Sequence, residues 1–244
     1  MKYLISLMIL LFLFALAPTS FADVVNMPTP AARVVWIKGA LKATMPNGEE
    51  RFLKAQSIVY EQDTLITDAA SQAEIVFSDN TLMTFREGTT FIVKEYAFHP
   101  KGGEKSVGKY VMSLIEGGFR TVTGLIAKSN PTDYQVVTPV ATIGVRGTDY
   151  AVYLSNGQLF VGYYKGSPCV TNNKKDKTVC LDQATPYAYV PNAESAPVPL
   201  TQRPDGFKSS LPITPMQGSS FIGAPGVMFT PINPGGATNF CISQ

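Results

Sequence analysis

The sequence predicts an all-β protein, built of short strands stacked as a brief β-solenoid or a flattened β-sandwich and followed by a Pro/Gly-rich tail. Three observations carry that expectation. From Arg33 to about Val190, runs rich in Val, Ile, Phe, Tyr and Thr are punctuated by Gly, Asn and Asp. No 3.6-residue hydrophobic period is sustained across that stretch. After Val190 the composition shifts: Pro191 to Gln244 holds 9 prolines and 6 glycines in 54 residues, a content that favours an extended tail over a second packed core. With 244 residues, 45% of them hydrophobic, the chain can bury one substantial core.

Residues 1–22 read as a cleaved export signal. Lys2 supplies the positive start, Leu4 to Ala17 is an apolar run broken only by Ser6, and Ser20-Phe21-Ala22 places small residues at −3 and −1 of a cut before Asp23. An uncleaved anchor would use the same run, which falls a little short of the ~17 residues that span a bilayer. Membrane contact is therefore expected only through an uncleaved signal, and the mature protein is expected in the periplasm or outside the cell. Residues 23–33 then form a lead-in, 34–190 the β domain and 191–244 the tail. Without Lys2 the chain carries 19 Lys+Arg against 18 Asp+Glu, interspersed. That balance argues against nucleic acid, which needs a concentrated basic face.

The strands follow in order. Val34–Ile37 opens the domain, and Pro46-Asn47-Gly48 is a turn leading into Glu50–Ala55. In Ala73–Phe77, residues Ala73, Ile75 and Phe77 share one face while Gln72, Glu74 and Ser78 take the wet one. Ser78-Asp79-Asn80 turns the chain into Leu82–Phe85, and Thr90–Tyr96 comes next. His99 to Lys109 is polar and glycine-rich and reads as a mobile loop. Beyond it lie Lys109–Glu116, Gly118–Thr121, Asp133–Val137, Thr142–Val145 and Tyr150–Leu154. Ser155-Asn156-Gly157 is a strong hairpin signal between Tyr150–Leu154 and Gln158–Tyr164. Cys169 and Cys180 flank a polar hairpin tip, and a disulfide is expected across it, worth on the order of 2–3 kcal/mol by loop entropy. Neither a histidine nor a further cysteine stands near enough to make that pair a metal site. Cys241 is left odd, open to a free thiol or an intermolecular link. Ala188–Val190 closes the domain, and Phe207, Phe221, Ile222, Met228 and Phe229 are apolar enough for the tail to dock on it.

Catalytic chemistry has a thin inventory here. His99 is the only histidine, which leaves a serine or cysteine nucleophile short of a base and zinc short of ligands. Asp63, Asp68, Asp79, Glu87, Glu95, Glu116 and Asp149 could supply a glycosidase pair, but no spacing singles out two of them. Gly124–Ser129 has a Lys-Ser yet lacks the second glycine of a phosphate loop. No enzyme, metal or cofactor is expected from these residues.

Gly144-Val145-Arg146-Gly147-Thr148-Asp149 raises a sharper question. Ala141, Ile143 and Val145 form an apolar face on odd positions, whereas Tyr150, Val152 and Leu154 continue it on even ones. A period-2 strand changes phase only through a bulge or corner, and glycine permits one. Gly147, with Gly144, is expected to mark a sharp bend. Arg146 is expected to pair with Asp149 and pin it, or alternatively to bind a ligand.

At this stretch the chain resembles the FecR-type domain of bacterial envelope proteins. Glu61 to Val93, Leu114 to Arg120 and Tyr134 to Gly166 are similar in order to its turn-and-strand series, and the block from Thr138-Pro139 to Arg146-Gly147-Thr148-Asp149 is the most specific part. The sequence departs from the pattern at Gln62, where the family has glycine before Asp63. It departs again at Asn80, where glycine usually follows Asp79. The first turn is expected to be looser for it, while Asn80 tolerates the positive φ. The resemblance implies an all-β fold without catalysis. The family's founding member carries an outer-membrane receptor's state across the inner membrane to a sigma factor. Here no cytoplasmic segment precedes the apolar run, and only the hairpin and tail follow Gly166, so sigma-factor regulation is not carried over. What the resemblance implies is an extracytoplasmic adaptor or sensor that binds an envelope protein. The alternative is a cell-wall glycan-binding module using Trp36, Tyr163 and Tyr164, with a glycosidase third.

Overall fold

The computed structural model describes residues 28–99, 107–207 and 211–213. The expected signal peptide, most of the glycine-rich loop, Cys241 and the tail beyond residue 213 lie outside the described residues.

Two layers of mostly antiparallel strands share one long strand. The first layer uses β1 (Pro30–Lys38), β4 (Ile58–Tyr60), β6 (Gln72–Phe77), β7 (Leu82–Phe85), β9 (Val107–Val122), β12 (Asp149–Ser155), β13 (Gln158–Lys165), β16 (Tyr187–Val190) and β17 (Val198–Leu200). It runs in the order β4-β1-β6-β7-β9-β12-β13-β16-β17. The second uses β2 (Leu41–Thr44), β3 (Glu50–Leu53), β5 (Thr64–Thr67), β8 (Thr90–His99), β10 (Tyr134–Val137), β11 (Ala141–Gly144), β14 (Cys169–Asn172) and β15 (Thr178–Cys180). Its order is β3-β2-β5-β8-β9-β10-β11-β14-β15, in which β9–β10 is the parallel pairing. The result is one open mixed sheet folded over on itself, the flattened sandwich of the two arrangements expected from sequence.

The fold line passes through Gly117. Up to Glu116, β9 pairs with β8; from Gly117 onward it pairs with β12 and then β7. Gly117 has φ +83°, and a Cβ there would lie 2.5 Å from Thr89 Cα, so only glycine fits the bend. The two segments read from sequence as Lys109–Glu116 and Gly118–Thr121 are thus one strand that changes layer.

The core fills the space between the layers. Phe85 and Phe91, from opposite layers, stand 5.0 Å apart; Phe77 meets Tyr110 at 4.9 Å, and Phe119 meets Tyr150 at 6.0 Å. Each pairing buries large apolar area and adds edge-to-face or tilted ring contact. Tyr134 and Tyr150 hydroxyls share a buried hydrogen bond of 3.0 Å. Burial pushes the Tyr134 phenol above its ordinary value.

Short strands that alternation did not reveal are β2, β4, β5 and β17, each three or four residues long. A one-turn helix, α1 (Leu125–Ser129), follows β9 where the sequence showed no helical pattern. Asp79 sets its position: its carbonyl accepts the Leu125 N–H at 2.8 Å and its carboxylate the Ile126 N–H at 3.3 Å. Among the described residues no helix is long and apolar enough to cross a membrane.

Candidate functional site

Val145–Thr148 carries the chain from β11 in the second layer to β12 in the first. Ala141, Ile143 and Val145 face the core before the crossing, and Tyr150, Val152 and Leu154 after it. Gly147 takes φ +62° at the bend. Thr123 pins the crossing from β9's end: its hydroxyl accepts the Thr148 N–H at 2.8 Å, and the Thr148 carbonyl accepts the Thr123 N–H at 2.9 Å. Gly144 lies in β11 with open space where a Cβ would be, so the bend itself rests on Gly147. Thr138 closes the preceding turn, its hydroxyl accepting the Ala141 N–H at 3.0 Å and donating to the Ala141 carbonyl at 2.8 Å. The neighbouring Pro139 lines a pocket of about 240 Å³ with Ile115, Glu116 and the Ser155–Gly157 hairpin.

Arg146 does not pair with Asp149. Its side chain is exposed at the crossing, and Asp149 is held instead by Arg120 of β9. Nε and Nη2 of Arg120 reach the two carboxylate oxygens at 3.0 and 2.9 Å. The bend turns Arg146 outward, while the ladder of β9 against β12 brings Arg120 alongside. This fork raises the Arg120 pKa above its ordinary value, chiefly through the hydrogen bond to Asp149. The third guanidinium nitrogen donates to the Leu211 carbonyl at 3.0 Å, and the plane lies 4.3 Å from the Tyr164 ring.

Beside this clamp the outer face of the first layer is aromatic. Tyr153 on β12, Phe160 on β13 and Tyr189 on β16 are cross-strand neighbours and stack in a row, with centroids 6.4 and 4.9 Å apart. Arg86 continues the row, its guanidinium 4.8 Å from the Tyr153 ring. Gln158 donates to the Tyr189 hydroxyl at 2.8 Å. A parallel row contains Ala151, Gly162 and Tyr187.

Residues 63–167 match the FecR protein family. This segment is a FecR domain. It reaches from Asp63 through β13 and includes the crossing, the clamp and the Arg86–Tyr153–Phe160 part of the row, whereas Tyr187 and Tyr189 lie beyond it. Two crystal structures of a candidate anti-sigma factor from Parabacteroides distasonis ATCC 8503, at 2.50 and 1.65 Å, are similar to the chain. In each the identity is 13% and the TM-score 0.43, over 57% of this chain and 59% of that one. The chain thus spans under two thirds of the length of the structures it matches. No curated protein matches it.

The remaining sequence candidates are scattered or engaged. Trp36 is on β1, separated from Tyr163 and Tyr164 on β13 by four intervening strands, or ~24 Å at the usual strand spacing; Tyr163 also packs against the core. These three rings do not form one sugar platform. Asp63 is buried and receives the Arg51 guanidinium at 2.7 and 2.6 Å, besides the Tyr60 N–H. Asp79 is buried on Thr81 and Ile126. His99 is exposed at the end of β8. Cys169 and Cys180, paired across β14 and β15, form the expected disulfide.

Sequence reasoning did not single out Arg120, Tyr153, Phe160, Tyr187 or Tyr189. A signal was available: alternation puts Tyr153 on the face opposite Tyr150, Val152 and Leu154, and Phe160 on the face opposite Leu159 and Val161, where a large aromatic is unexpected unless something covers it.

Proposed function

We propose that this protein is a non-catalytic extracytoplasmic sensor or adaptor that binds another protein of the cell envelope through the outer face of β12, β13 and β16. The unit responsible is the β domain expected over residues 34–190, whose sheet also takes in Pro30–Arg33 and Val198–Leu200, exported to the periplasm or beyond by removal of residues 1–22. The observation that carries the reading is the Arg86–Tyr153–Phe160–Tyr189 row, which presents Tyr153 and Tyr189 half-exposed around buried Arg86 and Phe160. Arginine and large aromatics are the side chains enriched at protein–protein hot spots. The FecR domain supports a regulatory role, and the Cys169–Cys180 bridge suits an oxidising compartment.

A photo-crosslinking residue placed at Tyr189 tests it in the native envelope, with Lys42 on the other layer as control. A discrete adduct from position 189, lacking at 42, is the expected result. Export of the folded protein without any adduct from position 189 or from position 153 would overturn it.

A further inference from the structure

We infer that the trough between Phe160 and Tyr187 recognises a phenylalanine-bearing turn of the partner protein, and that the chain's own Gly206-Phe207 occupies it until displaced. This rests on the protein-binding reading above and names the partner's chemistry.

The resident segment shows what the trough selects. Pro204-Asp205-Gly206-Phe207 has the composition of a tight turn and is closed by the Phe207 N–H donating to the Pro204 carbonyl at 2.9 Å. Arg203 donates twice to the Phe207 carbonyl, at 3.1 and 2.6 Å, and its guanidinium lies 5.6 Å from the ring. The turn is therefore braced from within. Phe207 is only 4% exposed, and it packs with Ala151 and Phe160 in a cluster separate from the main core, edged by Tyr153, Tyr187 and Tyr189.

The floor beneath that ring is built from two small residues. Ala151 and Gly162 lie opposite each other on β12 and β13. Glycine inside a strand weakens it unless something must come close. Gly162 has no positive φ to require it; a Cβ there would meet Phe207 Cζ at 2.8 Å. Gly206 shows the converse, for its Cβ would meet Phe160 Cζ at 2.6 Å. Gly162 thus makes room for the Phe207 ring and Gly206 for the Phe160 ring, on a face the sandwich does not need in order to close its own core.

The seat is also suited to exchange. The turn is joined to the sheet through β17, a three-residue edge strand, and Thr201 to Arg203 are exposed. Arg120 holds the far side by the Leu211 carbonyl while it clamps Asp149. A tethered segment acts at an effective concentration near the millimolar range, so it screens the trough against weak ligands and yields to a stronger one.

The test uses the full chain and a fluorescent peptide of the sequence of residues 203–209, read by anisotropy. Phe207→Ala should bind it at least tenfold more tightly than the wild type, whose trough is filled. Binding should vanish with the peptide's phenylalanine changed to alanine. It should also vanish in Gly162→Val/Phe207→Ala, where valine suits the strand but fills the floor. Arg203→Ala, which loosens the turn and keeps the ring, should give a smaller gain and serves if Phe207→Ala misfolds. A folded Phe207→Ala that binds no better than wild type overturns the inference. So does a wild-type dimer lost in Phe207→Ala, which would assign the trough to a second copy. An envelope adduct from position 189 unchanged by Gly162→Val removes the trough and leaves the protein-binding function standing. Peptide binding by Phe207→Ala with no envelope adduct does the reverse.

Discussion

Replacing Gln62 by glycine should stabilise the protein. Gln62 sits in the turn between β4 and β5 with φ +69°, and its N–H donates to the Val93 carbonyl at 2.6 Å. That bond ties the turn to β8, so the backbone holds a left-handed conformation that costs an L-residue roughly 1–2 kcal/mol. The side chain is exposed and gives little back. Glycine removes the strain but loses roughly 0.5–1 kcal/mol more conformational freedom on folding. The net gain is about 0.5–1 kcal/mol, or a Tm rise of about 1–4 °C for a domain of this size. Gln56 supplies the control: its φ is +74°, but its Oε1 accepts Arg33 Nη1 at 2.8 Å. A hydrogen bond to a charged group is worth about 1.5–3 kcal/mol, so Gln56→Gly should be neutral or destabilising. Thermal unfolding of the oxidised protein by circular dichroism measures both. If Gln62→Gly were no more stable than wild type, or Gln56→Gly gained as much, the strain argument would be wrong.

Reducing the Cys169–Cys180 bridge, which spans 11 residues, should cost about 3 kcal/mol by loop entropy. A Cys169→Ala/Cys180→Ala variant with an unchanged urea midpoint would refute that. Burial raises the Asp79 pKa from its ordinary 3.8, against hydrogen bonds from Thr81 and Ile126. The folded state therefore binds that proton more tightly than the unfolded one, and the contribution of Asp79 to stability falls as pH rises from about 3.8 through the folded value. The stability of wild type relative to Asp79→Asn should accordingly be highest in acid and shrink across that window; a difference independent of pH in urea titrations refutes it. Arg120→Ala leaves Asp149 and the Leu211 carbonyl without their donor, at a cost of about 2 kcal/mol for a partly exposed fork. It should also hasten proteolysis after Leu200, and an unaltered cleavage rate would count against the clamp.

Much of the fold was legible because period-2 alternation reports burial directly. Ala73, Ile75 and Phe77 are all buried, and so are both phases of the run that breaks at Gly147. Glu74, expected on the wet face, is buried as well and accepts the Thr84 hydroxyl at 2.9 Å, because the strand is covered on both faces. The family departures were legible as well, yet their consequence was not. Gln62, expected to loosen its turn, instead adopts the positive φ that glycine would have taken, because the Val93 carbonyl holds its N–H in place. β2, β4 and β5 escaped notice because three or four residues carry too little pattern; their pairing is enforced by neighbours distant in sequence.

Residue order alone determined the β class, the strand alternation, the hairpin turns, the disulfide partners and the FecR domain, since each is encoded in local spacing or in side-chain type. Tertiary structure decided the rest. Arg146 and Asp149 are three residues apart and do not meet, whereas Arg120 and Asp149 are 29 apart and do. The row of Tyr153, Phe160 and Tyr189 exists only because three strands lie in register. Gly162 has its meaning only once Phe207, 45 positions later, is folded onto it. Side-chain chemistry is written in sequence, but which side chains share a surface is set by strand pairing across long separations, and that is where a binding face is made.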